Sequence, residues 1–237
     1  MPLPTVILPG FFAAASEYRE FEHLLNEQGF PALLVPLRKR DWVPTIGGRS
    51  IAPILRQLHA TVQQALQEFN APKVNLVAHS AGGWIARIYL GEKPYIIHGD
   101  VDESAQLWYA TPFVSTLITL GTPHISQERW TLKNLDFVNT AYPGAFYPHV
   151  RYICLAGKAV YGARKRGQWL AHNSYRITCG IGETWGDGIT PIEAAHLVGA
   201  ENIVLDGVMH SPRSPLNWYG SPEILPRWVS YLGDCKI

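Results

Sequence analysis

The segment Val74-Asn75-Leu76-Val77-Ala78-His79-Ser80-Ala81-Gly82-Gly83-Trp84 constrains this chain more than any other. An apolar run of strand type leads into a small-x-Ser-x-small pentapeptide, and a glycine-initiated helical pattern leads out towards Leu90, where Gly91 stops it. A serine on such a turn is held in a strained backbone conformation with its hydroxyl raised above the sheet, and its neighbours must be small so that strand and helix can approach. Ala78 and Gly82 meet that demand. The pentapeptide alone is a weak signal, because Gly and Ser are common residues. Its position between strand and helix is what makes Ser80 a candidate nucleophile.

Short Val-, Ile- and Leu-rich runs at Thr5–Leu8, Ala32–Leu37, Val74–Ala78, Val114–Leu120, Val150–Leu155 and Asn202–Leu205 show little polar alternation, as strands covered on both faces should. Longer amphipathic segments separate them. Ser16 is placed to cap a helix through Gln28. Ile51, Leu55, Leu58, Val62, Leu66 and Phe69 recur at spacings of three and four, and a last helix is expected over Glu223–Leu232. Strands alternating with helices predict an α/β fold: a mostly parallel central sheet with helices on both faces. With 237 residues, 47% of them hydrophobic, one domain spanning residues 1–237 is the expectation. Residues 92–112 and 123–148 lack clean periodicity and hold many aromatics and prolines, so they read as insertions forming a small irregular cap.

The Ala78-His79-Ser80-Ala81-Gly82-Gly83 run is similar to the nucleophile turn of small bacterial lipases. Together with Leu8–Phe12, Gly121–His124, Gly186–Pro191 and Val208–His210, it makes the chain resemble the lipase and esterase branch of the α/β-hydrolase superfamily, including uncharacterised hydrolases of cyanobacteria and plastids. Ala78 departs from the usual Gly-x-Ser-x-Gly. The resemblance implies a serine hydrolase working through an acyl-serine intermediate, with nucleophile, acid and base in that order along the chain. Asp187, in Gly186-Asp187-Gly188-Ile189-Thr190-Pro191, takes the acid role. His210, the only histidine after the last strand, takes the base role. Asp206 is a rival acid, at a strand end but only four residues from that histidine. The oxyanion donors implied are the N–H groups of Ala81 and Phe11, with Phe12 as second choice for the latter; Pro9 stands where the family's turn carries His.

The aromatic stretch around Trp130, Phe137, Tyr142, Phe146 and Tyr147 falls where this fold carries its cap, and it suits an apolar acyl chain. Phe12, His124 and Trp130 are the expected substrate-binding residues, His124 shaping the pocket wall. For any one aromatic, simple core cover is the alternative reading. The substrate expected is a lipophilic small-molecule ester; a thioesterase, an acyltransferase or a non-catalytic binding protein of the same fold would carry the same residues.

A formal net charge of +1 argues against nucleic acid as a partner. No spacing of His, Cys, Asp or Glu suggests a metal site, and no cofactor motif occurs. Cys154, Cys179 and Cys235 are few, odd in number and far apart, which fits a reducing compartment. With no basic-then-apolar leader at the start of the sequence and no run of about 18 apolar residues, a cytoplasmic protein without a transmembrane segment is expected. Arg164-Lys165-Arg166 reads as a solvated basic loop first and as a site of peripheral membrane contact second.

Overall fold

A computed structural model of the chain describes residues 2–97, 107–214 and 217–233. The strands are β1 (Thr5–Leu8), β2 (Ala32–Leu34), β3 (Val74–His79), β4 (Val114–Leu120), β5 (Arg151–Lys158), the two-residue β6 (Val160–Tyr161) and β7 (Trp185–Gly186), and β8 (Glu201–Asp206). Six of them form one sheet in the order β2-β1-β3-β4-β5-β8 with every pairing parallel, while β6 and β7 pair antiparallel beside it.

Burial on both faces explains the near-continuous apolar runs. Side chains alternate across a strand, so successive residues feed two cores. Val6, Leu8, Leu76, Ala78 and Leu117 enter one core; Ile7, Val77, Ile118 and Leu155 enter the other. The first core is closed by α2 (Ala52–Glu68), α3 (Ala81–Leu90) and α4 (Leu132–Ala141), the second by α1 (Arg19–Glu27) and the C-terminal turns around Leu225 and Trp228.

Connection order fixes where a site can form. The chain leaves β1 for β2 on one side, then crosses back over β1 to β3 on the other. β1 and β3 therefore part at the point where the sheet order reverses, and the crevice beyond their carboxyl ends is the natural ligand position in such a sheet. The loops that follow these two strands begin at Pro9 and Ser80.

Several expected boundaries move. β2 stops at Leu34 rather than Leu37, although Val35 still donates to Ile7 at 3.0 Å. β5 runs on to Lys158, because β8 pairs with it as far as Lys158–Asp206. Ser16 does not cap the first helix: it lies in a 3₁₀ turn, Ala15–Glu17, and α1 begins after Tyr18. The expected helix over Glu223–Leu232 is instead two 3₁₀ turns, Leu225–Arg227 and Val229–Leu232. Pro226 cannot donate to a helical ladder, and Trp228, at φ −143°, interrupts it while burying its indole.

The stretch 123–148, expected to be irregular, contains α4, whose Leu135 and Val138 pack into the core. A helix over Trp169–Cys179, α5, escapes periodicity for a different reason. Its apolar Trp169, Leu170 and Ile177 face solvent, whereas the polar His172 is buried with Ala171 and Tyr175. The one-turn α6 (Ile192–Ala195) follows. Residues 98–106 of the other expected insertion, with His98, lie outside the described residues, as does Cys235. No helix among the described residues is long and apolar enough to cross a membrane.

Candidate active site

Ser80 occupies the single residue between β3 and α3, at φ +54° and ψ −128°. A residue with a side chain strongly resists that backbone, and the surroundings over-determine it. The Ser80 N–H donates to the Leu120 carbonyl at 2.9 Å, and its own carbonyl accepts from the Thr122 hydroxyl at 2.8 Å and from the Gly83 N–H at 3.1 Å. A Cβ on Gly82 would lie 3.0 Å from the Leu8 carbonyl oxygen, and one on Gly83 would overlap the Thr122 side chain. The small residues after Ser80 thus let α3 start against β1 and β4.

The imidazole of His210 lies beside Ser80, with Nε2 3.0 Å from Ser80 Oγ. Its Nδ1 is 2.8 Å from Asp187 Oδ2. A carboxylate only accepts, so Nδ1 carries the proton and Nε2 is left to accept from the serine hydroxyl. Asp187, fully buried, is satisfied on both oxygens: Oδ1 accepts from the N–H groups of Ile189 (3.0 Å) and Thr190 (2.7 Å), and Oδ2 from His210 and from the Tyr219 hydroxyl (2.8 Å). Burial and the neighbouring Asp187 charge push the Tyr219 phenol well above its usual range, so it stays a donor to the carboxylate, and its oxygen in turn accepts from Gly157 N–H at 2.7 Å. The His210 N–H also donates to the Asp187 carbonyl at 3.0 Å.

The rival acid is elsewhere. Asp206 is exposed at the end of β8 and pairs with Lys158 at 3.7 Å.

Serine on a turn between a central parallel strand and its helix, with an aspartate and then a histidine on loops later in the chain, is a specific combination. The fold is that of the α/β-hydrolases. Among solved structures, this α/β-hydrolase-fold chain is similar to a Lactobacillus plantarum protein provisionally named a cell surface hydrolase, over 100% of this chain and 93% of that one, at 12% identity and a TM-score of 0.48. It is also similar to tomato methylketone synthase I solved with 2-tridecanone, over 61% of this chain and 49% of that one (12% identity, TM-score 0.37), and to an esterase from Exiguobacterium antarcticum, over 53% and 40% (20% identity, TM-score 0.30). The chain thus spans half or less of the latter two proteins. No family model and no curated protein matches the sequence.

A cavity of about 220 Å³ opens at Ser80, with Phe11, Trp42, Ile51, Trp84, Trp130 and Ile189 among its walls. Phe11 and Ala81 line it together with Ser80, and neither of their N–H groups has a partner among the described residues. Phe12, at φ +56°, turns its ring onto the edge of Phe11 and does not line the cavity. Trp130, half-exposed, stands at the cavity wall.

His124 does not reach the cavity, contrary to expectation. Its ring is buried behind β4, with Nε2 3.3 Å from Thr119 Oγ1 and 3.5 Å from Cys154 Sγ. Of the aromatic stretch, Tyr142 and Tyr147 lie in the first core with Phe137 packed against it, while the exposed Phe146 contacts Tyr142 and Tyr147 at the surface. None of these four rings lines the cavity at Ser80, whereas Trp130 does. The described residues contain no cluster of three or more His, Cys, Asp or Glu able to hold a metal ion.

Two buried histidines give the protein a built-in acid sensitivity. His79 is held well below the usual histidine range by burial and then by His210; His124 by burial and then by Arg87 and His196. In the unfolded chain both take up a proton near pH 6.5, whereas the folded chain keeps them neutral, so the unfolded state binds more protons and stability falls as pH drops. Each contributes a slope of about 1.4 kcal/mol per pH unit below the unfolded pKa, until its folded pKa is reached. Thermal melting is therefore expected to be flat from pH 8 to 7 and to fall steeply from pH 6 to 5. A melting temperature that held or rose over that lower interval would contradict the neutral assignment.

Proposed function

We propose that the chain is a serine hydrolase that cleaves carboxylic esters of lipophilic alcohols or acids through an acyl-Ser80 intermediate. The observation that supports this most strongly is the unbroken hydrogen-bonded row Asp187–His210–Ser80, whose hydroxyl end opens on an apolar cavity. Serine hydroxyl is a poor nucleophile at neutral pH and needs an oriented base. His210 Nε2 removes the Ser80 proton as Oγ forms a bond to the ester carbonyl carbon, and Asp187 stabilises the imidazolium that results. Negative charge moves to the former carbonyl oxygen, to which the N–H groups of Phe11 and Ala81 donate. The tetrahedral species expels the alcohol, to which His210 returns the proton. Water, activated by the same imidazole, then attacks the acyl carbon and releases the acid and the free serine.

The cavity sets the expected substrate range. At about 220 Å³ it lies below the volumes of roughly 300–1,000 Å³ usual for drug-sized ligands, so it takes a short or medium acyl group with the remainder of the ester extending past Trp130. The test is hydrolysis of p-nitrophenyl esters from acetate to palmitate. The expected profile peaks at short to medium chain length, and Trp130→Ala raises KM several-fold for the longer members while leaving acetate unchanged. Absence of turnover above buffer for every chain length would refute the esterase reading.

A further inference from the structure

Two buried side chains that take no part in the chemistry above join the two halves of the site. Tyr18, between the 3₁₀ turn and α1, places its hydroxyl 3.1 Å from the Gly10 N–H and 2.6 Å from His79 Nδ1. The other nitrogen of that ring, His79 Nε2, is 2.9 Å from the carbonyl oxygen of His210.

Donor and acceptor roles follow from the two ends. A carbonyl only accepts, so His79 Nε2 carries the proton and Nδ1 offers a lone pair. Tyr18 spends its one proton on that lone pair, and its oxygen accepts from Gly10. The result is a directed chain, Gly10 N–H to Tyr18 to His79 to the His210 carbonyl. Both side chains are almost completely buried, and Trp218 packs edge-on against both rings, at 5.6 and 5.8 Å. Burial raises the Tyr18 phenol and lowers the His79 imidazole, so neither changes charge near neutrality. There is no slack at the loop: a Cβ on Gly10 would sit 2.9 Å from Ser80 Cβ and 3.0 Å from His79 Nδ1.

We propose that Tyr18 and His79 are positioning residues that fix the oxyanion loop, through Gly10, at a set distance from the loop carrying His210. The chain ends one residue before Phe11 at one side and on His210 itself at the other. Those two loops come from opposite ends of the sequence, and the N–H of Phe11 must meet the carbonyl oxygen of an ester whose carbon bonds to Ser80 Oγ only as His210 takes the proton. A small error in their separation falls on the transition state more than on the bound ester. The proposal rests on the serine-hydrolase reading.

Three variants test it with p-nitrophenyl butyrate: Tyr18→Phe, His79→Phe and His79→Gln. Tyr18→Phe and His79→Phe are each expected to lower kcat about 10- to 100-fold with KM within twofold. The inhibition constant of phenylboronic acid, whose tetrahedral adduct on Ser80 mimics the oxyanion, should rise by a similar factor. The double Phe variant should fall no further than the worse single one, since both break one chain. His79→Gln retains a donor and an acceptor and should recover most of kcat. If His79→Phe does not fold, Tyr18→Phe, which removes a single hydroxyl, decides the question. A folded Tyr18→Phe with kcat within twofold of wild type would overturn the proposal, as would a loss confined to KM. Ser80→Ala separates this failure from that of the underlying reading. Full activity in Ser80→Ala sinks the hydrolase assignment, whereas an inactive Ser80→Ala beside an unaffected Tyr18→Phe sinks only the positioning role.

Discussion

Ser80→Ala should lower kcat for p-nitrophenyl butyrate by about 10⁶-fold while the protein folds normally. In the proposed mechanism the hydroxyl oxygen forms the covalent bond, and among the described residues Ser80 Oγ is the hydroxyl within reach of His210 Nε2. Free N–H groups at Phe11 and Ala81 would still bind an oxyanion, so a trace of turnover above buffer is expected. Ser80→Gly sharpens the test, because it separates activity from stability. At φ +54° and ψ −128° the serine backbone is strained, and glycine adopts that conformation without cost. Relief of about 1–3 kcal/mol, offset in part by glycine's greater unfolded-state freedom, leaves a net gain of about 1 kcal/mol. For a chain of this length that corresponds to a melting temperature higher by about 2–4 °C in a protein with no esterase activity. Activity within tenfold of wild type in either variant would contradict the mechanism.

Asp187→Asn carries the second-largest effect, a fall of about 10⁴ in kcat. The side-chain oxygen of asparagine can still accept from the Ile189 and Thr190 N–H groups, which hold the loop in place. Its amide NH₂, however, would face His210 Nδ1 as a donor, and that nitrogen would have to give up its proton. The proton moves to Nε2, where it meets the Ser80 hydroxyl and blocks it from donating. Tyr219 loses the acceptor of its buried hydroxyl at the same time. Asp206→Asn is the matching control: it alters only the exposed pair with Lys158, and kcat should stay within twofold. Kinetics that singled out Asp206 instead would reverse the assignment of the acid.

The parts of the site that local rules govern were legible in the sequence. The turn at Ser80 needs small neighbours whatever the rest of the chain does, so Ala78, Gly82 and Gly83 announce it within a few residues. The inner strands were legible for a related reason: burial on both faces removes most polar residues from β1, β3, β4 and β5. Chain order and resemblance point to His210 and Asp187, and in the structure these two lie within hydrogen-bond distance of one another and His210 within that distance of Ser80.

What was not legible depends on contacts between distant segments. Tyr219 meets Asp187 across 32 positions, and Tyr18 meets His79 across 61, with nothing in either neighbourhood to mark a partner. The expected pocket residue His124 illustrates the opposite failure. Its Gly-Thr-Pro-His turn lies at the end of β4 near Ser80, but Thr122 points at the Ser80 carbonyl while His124 turns inwards under Asn139, whose amide holds the His124 carbonyl at 2.9 Å. Proximity along the chain located the turn and could not give its side-chain direction. The same holds for α5, where apolar residues on the outer face defeat a rule that assumes apolar faces turn inwards.

In the proposed mechanism Ser80 forms a covalent bond to an electrophile. That step is tested most directly by treating the folded protein with a fluorophosphonate and locating the adduct by peptide mass mapping. One adduct per chain is expected, on Ser80, absent from Ser80→Ala and strongly slowed in Asp187→Asn. An adduct on another residue, or an unmodified Ser80 in folded protein, would contradict it.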